Sequence, residues 1–502
     1  MTIEEILRKY NIDNYELYGN DIVKINDNDL DTKKGKLVLV TSINPTPFGE
    51  GKTTTSIGLC DSLNKLGVKS IVSLREPSMG PVFGKKGGAV GAGKAKVVPE
   101  NKINMNFTGD FHAITYANNL ISAVIDNHIY QGNELGIDKI IFNRCLDVND
   151  RSLRKVIING METSFDITPA SEIMSIIGLS ESIDDLRINL GNIIIGYNKD
   201  NNEIYVKDLN LVDSLLYILE DAFKPNMVKT LYNNPAIIHT GPFANISYGC
   251  SSIKSIKLAM KYSDIAITEA GFGSDTGGIK FFDILCRKGK IYPDVVVINT
   301  TIKALKYHGN DDITKGICNL DYHIENMSKY TDNIIVSLNK FNDDLVEDIN
   351  YLKKYLNDKN IKLCISTMYQ DGEDGCIDLA NEIIKVSNSD KKYEIYNIND
   401  PLADKINKMK SMFVANSITF SDDTKDKFLQ ISKKYSNLPI CICKTPYSIT
   451  DDSKVLGYPK NFDMKITGIK VYNGAGYIVI FMGNVLTMPG LSKDSNYLNF
   501  KY

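Results

Sequence analysis

Short apolar runs alternate with segments of helical period through most of the chain. The runs Leu37–Ile43, Lys69–Leu74, Lys139–Phe142, Ala236–His239, Ile265–Thr268, Val295–Ile298, Ile334–Leu338 and Ile361–Ile365 are rich in Val, Ile and Leu and predict strands. Helical spacing falls between them, as in Thr53–Leu66, Ala113–Asp126 and Asp343–Leu356. Such a βαβ succession predicts an α/β fold, a mainly parallel sheet with helices on its faces. Beyond about residue 400 the texture changes. Two helical stretches, Ala403–Met412 and Asp423–Lys434, precede the apolar run Pro439–Cys443. Two alternating runs, Met464–Tyr472 and Tyr477–Met482, then meet at Asn473-Gly-Ala-Gly476. That pattern predicts a small α+β unit with an antiparallel hairpin. The expected division is 1–320, 321–400 and 401–502, one large domain and two smaller α/β or α+β domains.

The 502 residues carry 43% hydrophobic and 24% charged positions with a net charge of -3. This supports a sizeable core and argues against long disorder and against a strongly basic nucleic-acid surface. Nine cysteines, an odd count without a CxxC pair, and five scattered histidines predict buried thiols rather than a disulfide framework or a zinc cluster. The amphipathic, acidic N-terminus lacks the features of a secretory signal. No run approaches the ~18 apolar residues of a membrane helix, so a cytoplasmic protein is expected.

One local signal stands out. The strand Leu37–Ile43 runs through Asn44 into Pro45-Thr-Pro-Phe-Gly-Glu-Gly-Lys-Thr53 and then into a helix. A strand, a glycine-bearing turn ending Gly-Lys-Thr and a helix make the context of a P-loop. Amides of the turn and of the helix N-terminus would face phosphates. Thr46, Pro47, Phe48, Gly49, Glu50, Gly51, Lys52 and Thr53 are therefore candidate ATP contacts, with Lys52 neutralising the terminal phosphates and Thr53 ligating Mg²⁺. Thr46 stands where the usual pattern has Gly, and Pro47 removes one donor. The plain alternative is an ordinary strand–helix turn.

Arg75 ends the second strand and opens a glycine-rich stretch to Gly93. The carboxyl ends of parallel strands are where such sheets bind ligands, and a guanidinium there suits a phosphate or carboxylate. A flexible surface loop is the alternative. Asp110 and His112 open the next helix, where Asp110 is either an N-cap or a cation ligand. Glu269, after another strand and before a glycine turn, is placed to orient Mg²⁺ or its water.

These segments resemble the formate–tetrahydrofolate ligase family, co-linearly and through nearly the whole chain. The shared stretches include 43–55 (INPTPFGEGKTTT), 74–84 (LREPSMGPVFG), 106–138, 165–174, 224–246, 268–275 (TEAGFGSD), 280–287, 304–310, 339–344, 438–452 and 486–493. The resemblance implies an ATP-dependent ligase with formate, ATP with Mg²⁺, and tetrahydrofolate as substrates, formyl phosphate as intermediate, and 10-formyltetrahydrofolate, ADP and phosphate as products. It implies a P-loop-type large domain that activates formate, with 321–400 contributing to the folate site. A homotetramer and a monovalent cation, potassium or ammonium, are implied as well. Lys52 and Arg75 become the catalytic candidates, and Glu76 and Asp110, with Ser78, a monovalent-cation cluster. Phe341 and the Met368-Tyr369 pair would cover the pterin ring, Met368 aligning with a Trp of the family; core packing is the alternative for Phe341.

Departures from the family pattern occur at Lys85, Val90, Ala92 and Lys94 of the glycine stretch, at Tyr248 and at Asn310. The changes at Lys94, Tyr248 and Met368 motivate an alternative, a divergent member that activates formate but has an altered or lost folate site. Asn339-Lys-Phe-Asn-Asp343 superficially resembles the guanine-reading NKxD, with the Asp one place late. A catalytically silent subunit is the third reading.

Overall fold

A computed structural model describes residues 1–30, 35–47, 49–85, 88–158, 160–387 and 393–500. The seven central strands are β1 (Lys36–Ser42), β2 (Ser70–Leu74), β3 (Pro235–Ile238), β4 (Ile265–Glu269), β5 (Val295–Thr300), β6 (Ile334–Asn339) and β7 (Lys362–Ser366). They lie parallel in the order β3-β2-β4-β1-β5-β6-β7. Antiparallel strands at the β3 edge, among them Asn226–Thr230, complete a 12-stranded sheet.

Both faces of the sheet are covered, so its strands read as continuous apolar runs. Successive side chains still point to opposite faces. Leu37 and Leu39 join one core with Ala266, Val296 and Ile298, while Val38 and Val40 join the other with Val72, Ile267 and Val297. Helix α1 (Lys52–Lys65) packs Ile57, Leu59, Cys60 and Leu63 on the second face. Helices α2 (Asp110–Tyr130) and α3 (Ile253–Tyr262) pack on the first. The α/β reading therefore holds. The strand expected at Lys139–Phe142 instead runs Ile137–Ile140 in a small three-stranded sheet.

Strand β6 hydrogen-bonds onto β5 and β7 onto β6, so both extend the large sheet rather than building one of their own. Residues beyond 400 do build a separate sheet, in the order Ser417–Phe420, Asp463–Tyr472, Tyr477–Met482, Ile440–Cys443. Its hairpin closes at Asn473–Gly476, where the Gly476 amide donates to the Tyr472 carbonyl at 2.7 Å. All nine cysteines are free thiols, Cys318 alone being half-buried and the rest buried. Among the described residues no helix is long and apolar enough to cross a membrane.

Candidate active site

The carboxyl ends of β1, β2, β4, β5 and β6 converge on the Pro45–Thr53 turn. Gly51, at φ +72°, closes the turn, and a Cβ there would lie 2.6 Å from Asn339 Nδ2. Only glycine suits both the left-handed backbone and that approach. Asn299 at the end of β5 and Asn339 at the end of β6 donate their Nδ2 hydrogens to the Glu50 carbonyl, Asn339 at 3.4 Å. Asn299 escaped the sequence reading, which took Asn339 only as the start of a guanine-reading-like run. The signal available was a polar Asn ending an otherwise apolar strand. The Glu50 side chain folds back on its own turn, its Oε1 accepting the Thr46 amide at 2.8 Å. Its Oε2 is buried without a partner, and burial raises the carboxyl pKa. Phe48 lies outside the described residues.

Lys52 opens α1 and donates to the Ser42 hydroxyl at 3.0 Å. Burial lowers the pKa of its ammonium, against the attraction of Glu50 and Glu269. The charge is thus under-compensated, which suits a cation awaiting an anion. Thr53 Oγ1 donates to Glu269 Oε2 at 2.8 Å, and Glu269 Oε1 lies 3.7 Å from Arg75 Nη2. Glu269 thereby joins the start of α1 to the guanidinium at the end of β2. Arg75 is buried, donates from Nη1 to the Pro242 carbonyl at 3.1 Å, and leaves its Nε without a partner.

In the expected cation cluster, Asp110 has a partner on each oxygen: Lys24 Nζ lies 2.6 Å from Oδ1 and Asn226 Nδ2 donates to Oδ2 at 2.7 Å. Lys24 is 86 positions away in sequence, and nothing local announced it. Glu76 differs, having a buried Oε2 without a partner. Burial and the nearby Asp110 carboxylate hold its pKa well above the usual carboxylate range, Lys24 opposing. Ser78 donates to Asp147, which also accepts the Met79 amide at 2.9 Å. His112 is exposed.

The loops after β6 and β7 are tied together. The Lys340 amide donates to the Ser366 carbonyl at 2.9 Å and Gln370 Nε2 to Asn342 Oδ1 at 2.8 Å. Phe341 is half-buried with Lys303 Nζ 4.9 Å from its ring centroid. Met368, expected at the pterin ring, has its side chain fully buried against α1, where a Cβ on Gly58 would meet Met368 Cβ at 2.5 Å. Tyr369, one residue on, is 55% exposed.

A family model described as formate–tetrahydrofolate ligase matches residues 1–502. A formate–tetrahydrofolate ligase of Caldicellulosiruptor saccharolyticus is 45% identical over 512 aligned positions, covering 96% of this chain and 92% of that protein.

Proposed function

Because the chain belongs to the formate–tetrahydrofolate ligase family, we propose that it joins formate to tetrahydrofolate by way of formyl phosphate formed over the Pro45–Thr53 turn. The observation that carries this reading is the chain of contacts Thr53–Glu269–Arg75, which brings the turn and the guanidinium to one point. A formate oxygen attacks the γ-phosphorus of ATP, and the bond to the bridging oxygen breaks to release ADP. The turn amides and Lys52 hold the phosphates, and catalysis of this step is mostly positioning and charge stabilisation. The N10 amine of tetrahydrofolate then attacks the formyl carbon. The carbon–oxygen bond to phosphate breaks, phosphate leaves, and the N10 proton passes to water. Arg75 stabilises the oxyanion formed in between.

The Thr53 hydroxyl and the Glu269 carboxylate offer hard oxygen donors, which fit Mg²⁺. Bound with ATP, Mg²⁺ would neutralise charge on the β- and γ-phosphates. For a monovalent cation, potassium or ammonium, the unpartnered Glu76 Oε2 fits, whereas Asp110 is taken by Lys24 and Asn226. Phe341 and Tyr369 are the rings that would meet the pterin. A homotetramer remains part of this reading by family resemblance.

Purified protein with formate, MgATP and tetrahydrofolate should release ADP and 10-formyltetrahydrofolate in equal amounts. The alternative, formate activation with an altered acceptor site, draws on Lys94 and Tyr248. It predicts ADP release indifferent to tetrahydrofolate, and that result would replace the proposal.

A further inference from the structure

The end of β4 and the segment after it touch the Pro45–Thr53 turn at its two ends. At the exit Glu269 accepts the Thr53 hydroxyl at 2.8 Å. At the entrance both Asp275 oxygens accept Asn44 Nδ2, at 3.1 and 3.0 Å. Glycines allow this approach. A Cβ on Gly271 would lie 2.8 Å from Arg75 Nη1, and one on Gly273 would lie 2.6 Å from Asp275 Oδ1.

Asn44 is the residue before Pro45, and it is fully enclosed with every polar atom engaged. Its amide donates to His323 Nε2 at 2.9 Å, so the Nδ1–H of His323 faces Ser274 Oγ at 2.7 Å. Its carbonyl lies 2.9 Å from His308 Nε2, and its Oδ1 accepts from Asn319 Nδ2 at 3.0 Å. Nδ2 also reaches the Pro446 carbonyl at 3.2 Å. Asp275 in turn carries Lys444, just beyond the strand Ile440–Cys443, at 2.7 Å with both side chains at 0% exposure. The Lys444 ammonium completes its donors on the Thr445 and Ser448 carbonyls.

Burying such a pair is costly, and apolar replacements are often at least as stable. The contacts of this pair instead run straight to the turn. We propose that Asp275 and Lys444 are positioning residues for phosphate binding. The ammonium from the 401–502 unit sets Asp275, Asp275 sets Asn44, and Asn44 sets the entrance of the turn while Glu269 sets its exit. The unit beyond residue 400 is thereby part of the nucleotide site without touching the nucleotide.

This inference rests on the turn being a phosphate cradle, and one titration separates the two claims. MgADP binding is measured by calorimetry on the wild-type protein, on Asn44→Ala, and on the double variant Asp275→Asn/Lys444→Met, which leaves no unpaired charge. Thermal melts accompany each. Wild-type binding with a loss on the order of tenfold or more in folded variants, at unchanged KM for formate and tetrahydrofolate, supports the clamp. Wild-type affinity in a folded variant overturns it and leaves the cradle standing; no wild-type binding overturns the cradle. Hydrogen exchange on the wild-type chain serves if both variants unfold. MgADP should slow exchange at 444–449 as well as at 44–51, and protection confined to 44–51 refutes the clamp.

Discussion

Met368 and Tyr369 are adjacent in sequence and opposite in environment, and exchanging each for Ala separates packing from ligand contact. Met368 is fully enclosed against α1, its Cβ 2.5 Å from where a Cβ on Gly58 would stand. Met368→Ala loses the transfer free energy of the thioether chain and leaves a cavity, together about 2–5 kcal/mol. Tyr369, at 55% exposure, contributes little to the core, and its carbonyl, which accepts the Lys94 amide at 2.9 Å, survives truncation. Tyr369→Ala should therefore change stability by only about 0.5 kcal/mol. A lost aromatic stack of about 0.5–1.5 kcal/mol should raise the KM for tetrahydrofolate about 2- to 12-fold. Urea midpoints followed by tyrosine fluorescence, convenient in a chain without Trp, report the first effect, and initial rates at saturating ATP and formate report the second. Met368→Ala at wild-type midpoint with a raised folate KM would refute the assignment of Met368 to the core.

Other outcomes follow from the same contacts. Lys52→Ala should abolish turnover and weaken MgADP binding in calorimetry, and unchanged turnover removes the cradle role from that side chain. Arg75→Ala should lower kcat more than it raises the KM for ATP, because its main partner is the transition state; a pure KM effect contradicts this. Burial raises the Glu172 carboxyl to about 7, against the Gly474 and Ala475 amides it accepts. Folding thus favours its protonated form, a contribution complete below the unfolded pKa of 4.5 and lost as pH rises through about 7. Glu172→Gln should gain in urea midpoint relative to wild type as pH rises through about 7, and a constant difference would count against the buried charge.

Much of the architecture was readable because the parallel strands are buried on both faces and so stand out as uninterrupted Val and Ile runs. The Gly51-Lys52-Thr53 turn was legible because glycine, cation and hydroxyl sit where a strand becomes a helix. Strand order was not legible: nothing in Ile265–Glu269 says that it inserts between β2 and β1, since each βα unit reads alike. The same ambiguity hid the attachment of β6 and β7 to the large sheet. At Met368-Tyr369 both residues are apolar enough to face a core, and only the direction of the short helical turn they open decides which one does. The Lys24–Asp110 and Lys444–Asp275 pairs join positions 86 and 169 residues apart, a distance over which no local pattern carries information.

In the proposed reaction formate takes the γ-phosphoryl group before it meets the amine. Turnover with formate labelled by ¹⁸O, followed by mass analysis of the phosphate released, tests this directly. Formyl phosphate cleaved at its carbon–oxygen bond leaves one formate oxygen in each phosphate. Label in the phosphate at one atom per turnover is the predicted result, and phosphate free of label during continued product formation would contradict it.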